Sequence, residues 1–258
     1  MSGHSKWAKI KHKKTTTDAK RGAAFTKITR EITSAAKDSG GDPNMNPRLR
    51  TAIARAREIN MPSVNIDNAI KKGTGELPGV IYEHVTFDAY GPGGVALLIE
   101  GLTDNKNRTT AEVRNILSKK NGNLAGAGST AWMFAAKAYV SVEKDKVSED
   151  KLMDIVLEAG AEDIKSDGNS FEVTSDPAHL ENIKKVLAAQ KIPTVTAEVT
   201  KVPNATVKVQ GAEAKQLLEL MEALEDHEDI QAVHANFDIP DEEIERADRK
   251  STRLNSSH

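Results

Sequence analysis

The sequence predicts an α+β protein: a helical N-terminal domain followed by two α/β domains of the ferredoxin-like type, one inserted in the other. Three observations carry this expectation. Apolar residues recur at helical period in three consecutive segments between residues 17 and 78. Beyond residue 80, short β-branched runs alternate with helical patterns. Residues 137–202 run strand-helix-strand-strand-helix-strand, the order of a split βαβ unit. The expected divisions are a basic arm at 1–16, a helical domain at 17–78, an α/β domain made from 80–135 plus 206–240, an inserted domain at 137–204, and a disordered or appended tail at 241–258.

The arm carries Lys6, Lys9, Lys11, Lys13 and Lys14, with His4, Trp7 and His12 among them, and no acidic residue before Asp18. No apolar face repeats at helical or strand period, so the arm is not expected in a core. Such a run is either a solvated tail or a polyanion contact, because each lysine that neutralises a phosphate releases a counterion. The charge of the whole chain supports the second. Residues 1–72 hold sixteen Lys and Arg against six Asp and Glu, whereas the remainder holds twenty against thirty-two. The net charge of -2 therefore joins a basic module of +10 to an acidic body of -12.

The first expected helix runs from the cap at Thr17 or Asp18 to Ser39. It turns Phe25, Ile28, Ile32 and Ala35 inward, with Lys20, Lys27, Arg30 and Lys37 on the other side and Gly40-Gly41 as its stop. Asn46-Pro47 caps a second helix to Asn60, which buries Leu49, Ala52, Ile53 and Ala56. Arg48 and Arg55, and likewise Arg50 and Arg57, stand one heptad apart and flank that apolar stripe. Glu58 is the only acid close to them in sequence, so they are candidates for phosphate contact. A third helix from Ser63 buries Ile66, Ala69 and Ile70 and is expected to end at Gly73.

Past a linker at Glu76–Gly79, strands are expected at Ile81–Tyr90 and Val95–Leu102, joined by a hairpin turn at Gly91-Pro-Gly-Gly94. Thr103-Asp-Asn-Lys-Asn-Arg-Thr109 opens a helix to Lys120 that buries Ala111, Ile116 and Leu117. Its Thr and Asp suit helix capping, while Asp104, Asn105, Lys106, Asn107 and Arg108 are candidates for an anion site in a cleft. A glycine-rich loop at 122–128 and a strand at Ser129–Phe134 follow. The inserted domain has strands at Ala138–Val142, Asp163–Lys165, Ser170–Thr174 and Val195–Val202, with helices at Ser148–Ala159 and Pro177–Gln190. A short strand at Val207–Gln210, a helix at Ala212–Glu225 and a strand at Ile230–Phe237 complete the fold.

Much chemistry is absent from the sequence. With no cysteine there is no disulfide and no thiolate site, which fits a reducing compartment. The seven histidines have no metal spacing, and no phosphate-loop, dinucleotide or nucleophile-elbow motif occurs. The acidic cluster Glu222, Glu225, Asp226, Glu228 and Asp229 is expected to be a solvated face, or a surface for a basic partner protein. No apolar run is long enough to span a membrane and no secretory signal is present, although a basic mitochondrial presequence is a rival reading of the arm. With 4% aromatic residues, base stacking is not the expected main binding mode.

Gly3-His-Ser-Lys-Trp7, Lys11-His-Lys-Lys14, Asp18-Ala-Lys-Arg-Gly22 and Phe25-Thr-Lys27 together resemble the start of the YebC-type proteins. The resemblance continues through Gly40-Gly-Asp-Pro43, Asn46-Pro-Arg-Leu-Arg50, Asn60-Met-Pro62 and Ala69-Ile-Lys-Lys-Gly73. It extends to Tyr90-Gly-Pro-Gly-Gly-Val-Ala96, Thr103-Asp-Asn-Lys-Asn-Arg-Thr109 and Gly128-Ser-Thr-Ala-Trp132. One departure is Asp88-Ala89, where the family usually has Glu-Gly, and a stiffer hairpin is expected there. The run 249–258 has no counterpart.

The resemblance implies a helical domain and two α/β domains around a cleft, in a non-enzymatic, cofactor-free regulator of gene expression. The family label is DNA-binding transcriptional regulator. The alternative it implies is a ribosome-associated translation factor that relieves stalling at proline-rich stretches. A third reading, an enzyme using the cleft, lacks a nucleophile, a metal set or a carboxylate pair. The expected partners are DNA or ribosomal RNA and the ribosome, with no membrane. The chain is expected to be a monomer in the cytoplasm, or in the mitochondrial matrix of a eukaryote. The residues expected to meet nucleic acid are Lys6, Trp7, Lys9, Lys11, His12, Lys13, Lys14, Lys20, Arg21, Lys27, Arg48, Arg50, Arg55 and Arg57.

Overall fold

The computed structural model describes residues 18–240, with side chains from Gly22 onward. The described residues fall into two compact units, 18–129 with 212–233 and 130–211 with 234–240.

In the first unit, three helices come first: α1 (Asp18–Ser39), α2 (Pro47–Glu58) and α3 (Ser63–Thr74). Their core is Ile32, Ala35 and Ala36 of α1 against Leu49, Ala52, Ile53 and Ala56 of α2 and Ile66 and Ala69 of α3. Small residues dominate because the helices approach closely. Asn46 fixes the α1–α2 corner. Its side-chain oxygen accepts from the Leu49 amide at 3.0 Å, and its amide nitrogen donates to the Ala35 and Gly40 carbonyls, each at 2.8 Å. One buried residue thus caps the start of α2 and satisfies carbonyls at the end of α1.

Gly73 does not end α3, contrary to the expectation from its position. The helix continues to Thr74, and Gly75, at φ +84°, makes the left-handed stop. Gly73 serves packing instead: a Cβ there would stand 2.4 Å from the Thr33 carbonyl oxygen and 2.7 Å from the Ala36 Cβ.

The same unit holds an antiparallel hairpin, β1 (Glu83–Tyr90) and β2 (Ala96–Thr103), in register from Glu83↔Thr103 to Tyr90↔Ala96. The turn is one of 3-10 type at Pro92–Gly94, with Gly93 and Gly94 at positive φ. Helix α4 (Lys106–Lys119), β3 (Asn123–Leu124), α7 (Gly211–Glu225) and β9 (Ile230–Ala235) complete it, in sheet order β3-β1-β2-β9. Helix α4 buries Thr109, Val113 and Leu117, leaving Ile116 half-buried and Ala111 exposed, contrary to the expected face. The stripe starts from a threonine hydroxyl, which an apolar pattern does not register. Asp88, at the departure from the family pattern, is buried in β1 and accepts from the Gly128 amide at 3.0 Å.

The second unit is a four-stranded antiparallel sheet of order β5-β6-β4-β7, from β4 (Phe134–Glu143), β5 (Ala161–Asp167), β6 (Ser170–Ser175) and β7 (Thr194–Pro203). Helices α5 (Glu149–Glu158) and α6 (Leu180–Ala189) place Leu152, Val156, Ile183 and Leu187 against Val140, Val142, Phe171 and Val173. This is the ferredoxin-like arrangement that the element order predicts. Three local expectations change. The segment before Phe134 is a 3-10 turn at Ala131–Met133 that leaves Trp132 70% exposed, and one long strand follows it. Pro177–His179 is a separate 3-10 turn before α6. The expected strand to Phe237 divides: β10 (Phe237–Asp238) pairs in parallel with β8 (Val207–Lys208). No helix among the described residues is long and apolar enough to cross a membrane.

Helix propensity alone favours Gly73→Ala by about 1 kcal/mol. Overpacking against Thr33 and Ala36 is expected to reverse that and destabilise by about 2 kcal/mol in urea unfolding. A stabilised variant would contradict the close approach of α1 and α3.

Candidate functional site

The arm residues Lys6, Trp7, Lys9, Lys11, His12, Lys13 and Lys14, and the side chains of Lys20 and Arg21, lie outside the described residues. The remaining cations of the helical domain separate into two groups.

One group holds the fold. Arg48 stands nearly three turns away from Glu58, the one acid on its own helix. It pairs instead with Glu31 at 2.8 Å and Asp38 at 2.6 Å, both from α1. Burial opposes its charge, but the two carboxylates outweigh that and raise its pKa. Lys27 and Arg30 do not form the expected outer cationic face. Lys27 donates to the Glu225 carbonyl, and Arg30 donates to the Asp229 carboxylate while lying 5.6 Å from the centre of the Tyr82 ring. The other group is on the surface: Arg50, Arg55 and Arg57 are exposed along α2, with Arg50 also reaching the Pro43 carbonyl at 3.3 Å. Because Leu49, Ala52, Ile53 and Ala56 face the core, the helical repeat places Arg55 on one flank of α2 and Arg50 and Arg57 on the other.

Asp229 is the centre of the first group. It is not part of a solvated acidic face: its side chain is 3% exposed. Besides Arg30, it accepts from Arg108 at 2.9 Å, the Thr109 hydroxyl at 2.6 Å and the Thr103 hydroxyl at 3.2 Å. Its backbone oxygen receives the Leu102 amide at 2.8 Å, and Gly101 permits that approach, since a Cβ there would lie 2.6 Å from the same oxygen. Burial pushes the Asp229 carboxyl up. The Thr109 hydroxyl, Arg108 and the charge of Arg30 outweigh it and hold the group down at about 2. A carboxylate this occupied is a structural anchor and not a proton acceptor for a substrate.

The expected anion site at 104–108 is changed accordingly. Arg108 binds Asp229 and, at 2.7 Å, Asp104, and these hydrogen bonds raise its pKa. Asn105 caps α4 by accepting from the Arg108 amide at 3.1 Å, and Thr103 accepts from the Asn105 amide at 2.9 Å. The capping is therefore by Asn105 with Thr103, not by Asp104. Lys106 and Asn107 are exposed on the first turn.

Glu112, His227 and Asp229 bring ligand atoms within 4.8 Å of one another. The arrangement suits a metal poorly. Two guanidinium groups already share Asp229, and the His227 Nδ1 accepts from the Asp229 amide at 3.1 Å. That leaves the proton on Nε2, directed at Glu112 at 2.9 Å. Sequence reasoning missed Asp229 and Arg30 as partners because 199 residues separate them. The one available signal was the dense set of polar cap residues at 103–109.

An aspartate with a lowered folded pKa contributes stability above its unfolded value, near 3.8, and that contribution is lost as pH falls toward 2. The stability advantage of the wild type over Asp229→Asn should therefore shrink by about 1 kcal/mol between pH 6 and pH 3 in urea unfolding. An advantage independent of pH would show that the carboxylate is not selectively stabilised.

Residues 5–76 match the model of the TACO1/YebC protein N-terminal domain, and residues 82–237 match that of the TACO1/YebC second and third domain. A "Probable transcriptional regulatory protein" of Natranaerobius thermophilus is 52% identical over 248 residues, covering 95% of this chain and 99% of that one. A protein of the same name from Dictyoglomus turgidum is 53% identical over 243 residues, covering 94% and 98%. A crystal structure of a conserved hypothetical protein from Aquifex aeolicus superposes with a TM-score of 0.76 at 42% identity, over 87% of this chain and 93% of that one. Fold and sequence agree over both units: the chain belongs to the TACO1/YebC family.

Proposed function

We propose that this protein is a non-enzymatic, nucleic-acid-binding regulator of gene expression that grips the phosphate backbone with its arm and helical domain. The observation that carries the proposal is the division of cations. Lys27, Arg30 and Arg48 are held by groups of the same unit, whereas Arg50 and Arg57 are exposed on α2, in a sequence that also carries the lysine run Lys6–Lys14. Exposed cations flanking a helix whose apolar face is buried suit phosphate contact more than base readout, and phosphate contacts position without specifying sequence. The regulatory name of the relatives supports the non-enzymatic part of the reading, and their word "transcriptional" favours DNA.

Charge reversal at Lys9, Lys11, Lys13 and Lys14 should weaken binding to all sequences. It should also reduce the salt dependence by about 0.9 log units for each duplex phosphate no longer neutralised. Arg50→Glu with Arg57→Glu should do the same with unchanged stability, whereas Arg48→Gln should lower stability first. Unchanged affinity and salt slope in the arm and α2 variants would refute the proposal. Crosslinking in cells distinguishes the target: ribosomal RNA recovered without promoter DNA would replace the transcriptional reading with a translational one.

A further inference from the structure

We propose that Met45 is a wedge that enters duplex DNA at a deformable base step, with Arg50 and Arg57 on the neighbouring phosphates. The role rests on the nucleic-acid reading and adds a contact to the bases themselves. Met45 lies in the turn between α1 and α2. At 79% it is the most exposed large apolar side chain among the described residues. The turn is closed by its own backbone: the Met45 and Asn46 amides donate to the Asp42 carbonyl at 3.1 and 3.0 Å, and the Asn44 amide donates to the Asp42 carboxylate at 2.9 Å. Asn46, 1% exposed, is bonded to the end of α1 and the start of α2. A rigid corner therefore holds the thioether side chain out in water, where it adds nothing to the helical core.

The surroundings of Met45 fit DNA. Arg50 is exposed and reaches back to the same turn, donating to the Pro43 carbonyl at 3.3 Å. Arg57 follows on the same flank of α2, seven residues and about 10 Å further along the axis, the rise of about three base pairs. Asp42 is the only acid from residue 39 to residue 57, and its carboxylate is engaged by the Asn44 amide. Asp42, Asn44 and Arg50 are exposed and polar, so Met45 is an apolar point in a polar rim and not the broad patch that a protein partner covers. One projecting apolar side chain beside arginines matches minor-groove binding, in which a wedge partly unstacks a base step and so bends the duplex. An unbranched, polarizable thioether adapts to the gap between two bases. Opening costs less at a TA step than in a stiff A-tract. The wedge thus supplies a preference for deformable sequence, which phosphate contacts alone do not give.

Two duplexes of about 20 base pairs test this, one with central TA steps and one with a central A-tract, each carrying 2-aminopurine in place of one central adenine. The full chain should bind the TA duplex about tenfold more tightly and raise its 2-aminopurine fluorescence, which reports unstacking. Met45→Ala should bind both duplexes as the wild type binds the A-tract, without the fluorescence rise, and Met45→Leu should restore both effects. Because Met45 is exposed, urea unfolding should be the same for all three proteins. Equal affinity of the wild type for the two duplexes, or a TA preference that survives in Met45→Ala, would overturn the wedge. Failure of the nucleic-acid reading looks different: no salt-dependent binding to either duplex or to structured RNA. Salt-dependent binding that shows no TA preference, or that is confined to RNA, removes the wedge and leaves that reading standing.

Discussion

A single buried carboxylate ties the first unit together. Asp229 sits at the turn between α7 and β9, yet its donors come from α1 (Arg30), the end of β2 (Thr103) and the start of α4 (Arg108 and Thr109). Taking a carboxylate out of water is unfavourable unless hydrogen bonds and opposite charge replace the lost hydration. Two guanidinium groups and two hydroxyls provide that replacement here. The arrangement also explains why the helical domain can be strongly basic and still pack on an acidic α/β domain of the same chain: some of its cations are neutralised where the two meet. His227 and Glu112 extend the network outward, and Asn105 with Thr103 anchors the helix that delivers Arg108.

The consequence for function is a separation of roles among residues of one chemical type. Arg48 and Arg30 are both arginines of the basic module, yet each is held by carboxylates of the same unit. Arg50, Arg55 and Arg57 share a helix with Arg48 and are exposed. A rigid three-helix core, closed by Asn46 and by the small residues around Gly73, keeps the exposed set in fixed register. A mobile cation would lose more conformational entropy on binding a phosphate than one presented by a packed helix.

The fold was largely legible in the sequence because its signals are local. The helical stripes of α1 to α3, the asparagine-proline start of α2 and the strand-helix order of the ferredoxin-like unit all depend on neighbours within a few turns. What failed was non-local or polar. Gly73 resembles a helix stop, but its meaning lies in Thr33 and Ala36 across a helix interface. The inward stripe of α4 begins at Thr109, whose hydroxyl is buried by a carboxylate 120 residues away. Arg48 lacks acids nearby on its own helix, and α1 provides them. The candidate site was legible as a composition, the excess of cations before residue 73, but the choice of which cations stay exposed is tertiary.

A double-mutant cycle between Arg30→Ala and Asp229→Asn tests the central claim most directly, with unfolding free energies measured on the full chain. If Asp229 anchors the helical domain, the two changes should be strongly non-additive, with a coupling of about 1–3 kcal/mol. Additive effects, within about 0.3 kcal/mol, would contradict the account and make the ion pair incidental to the packing of α1.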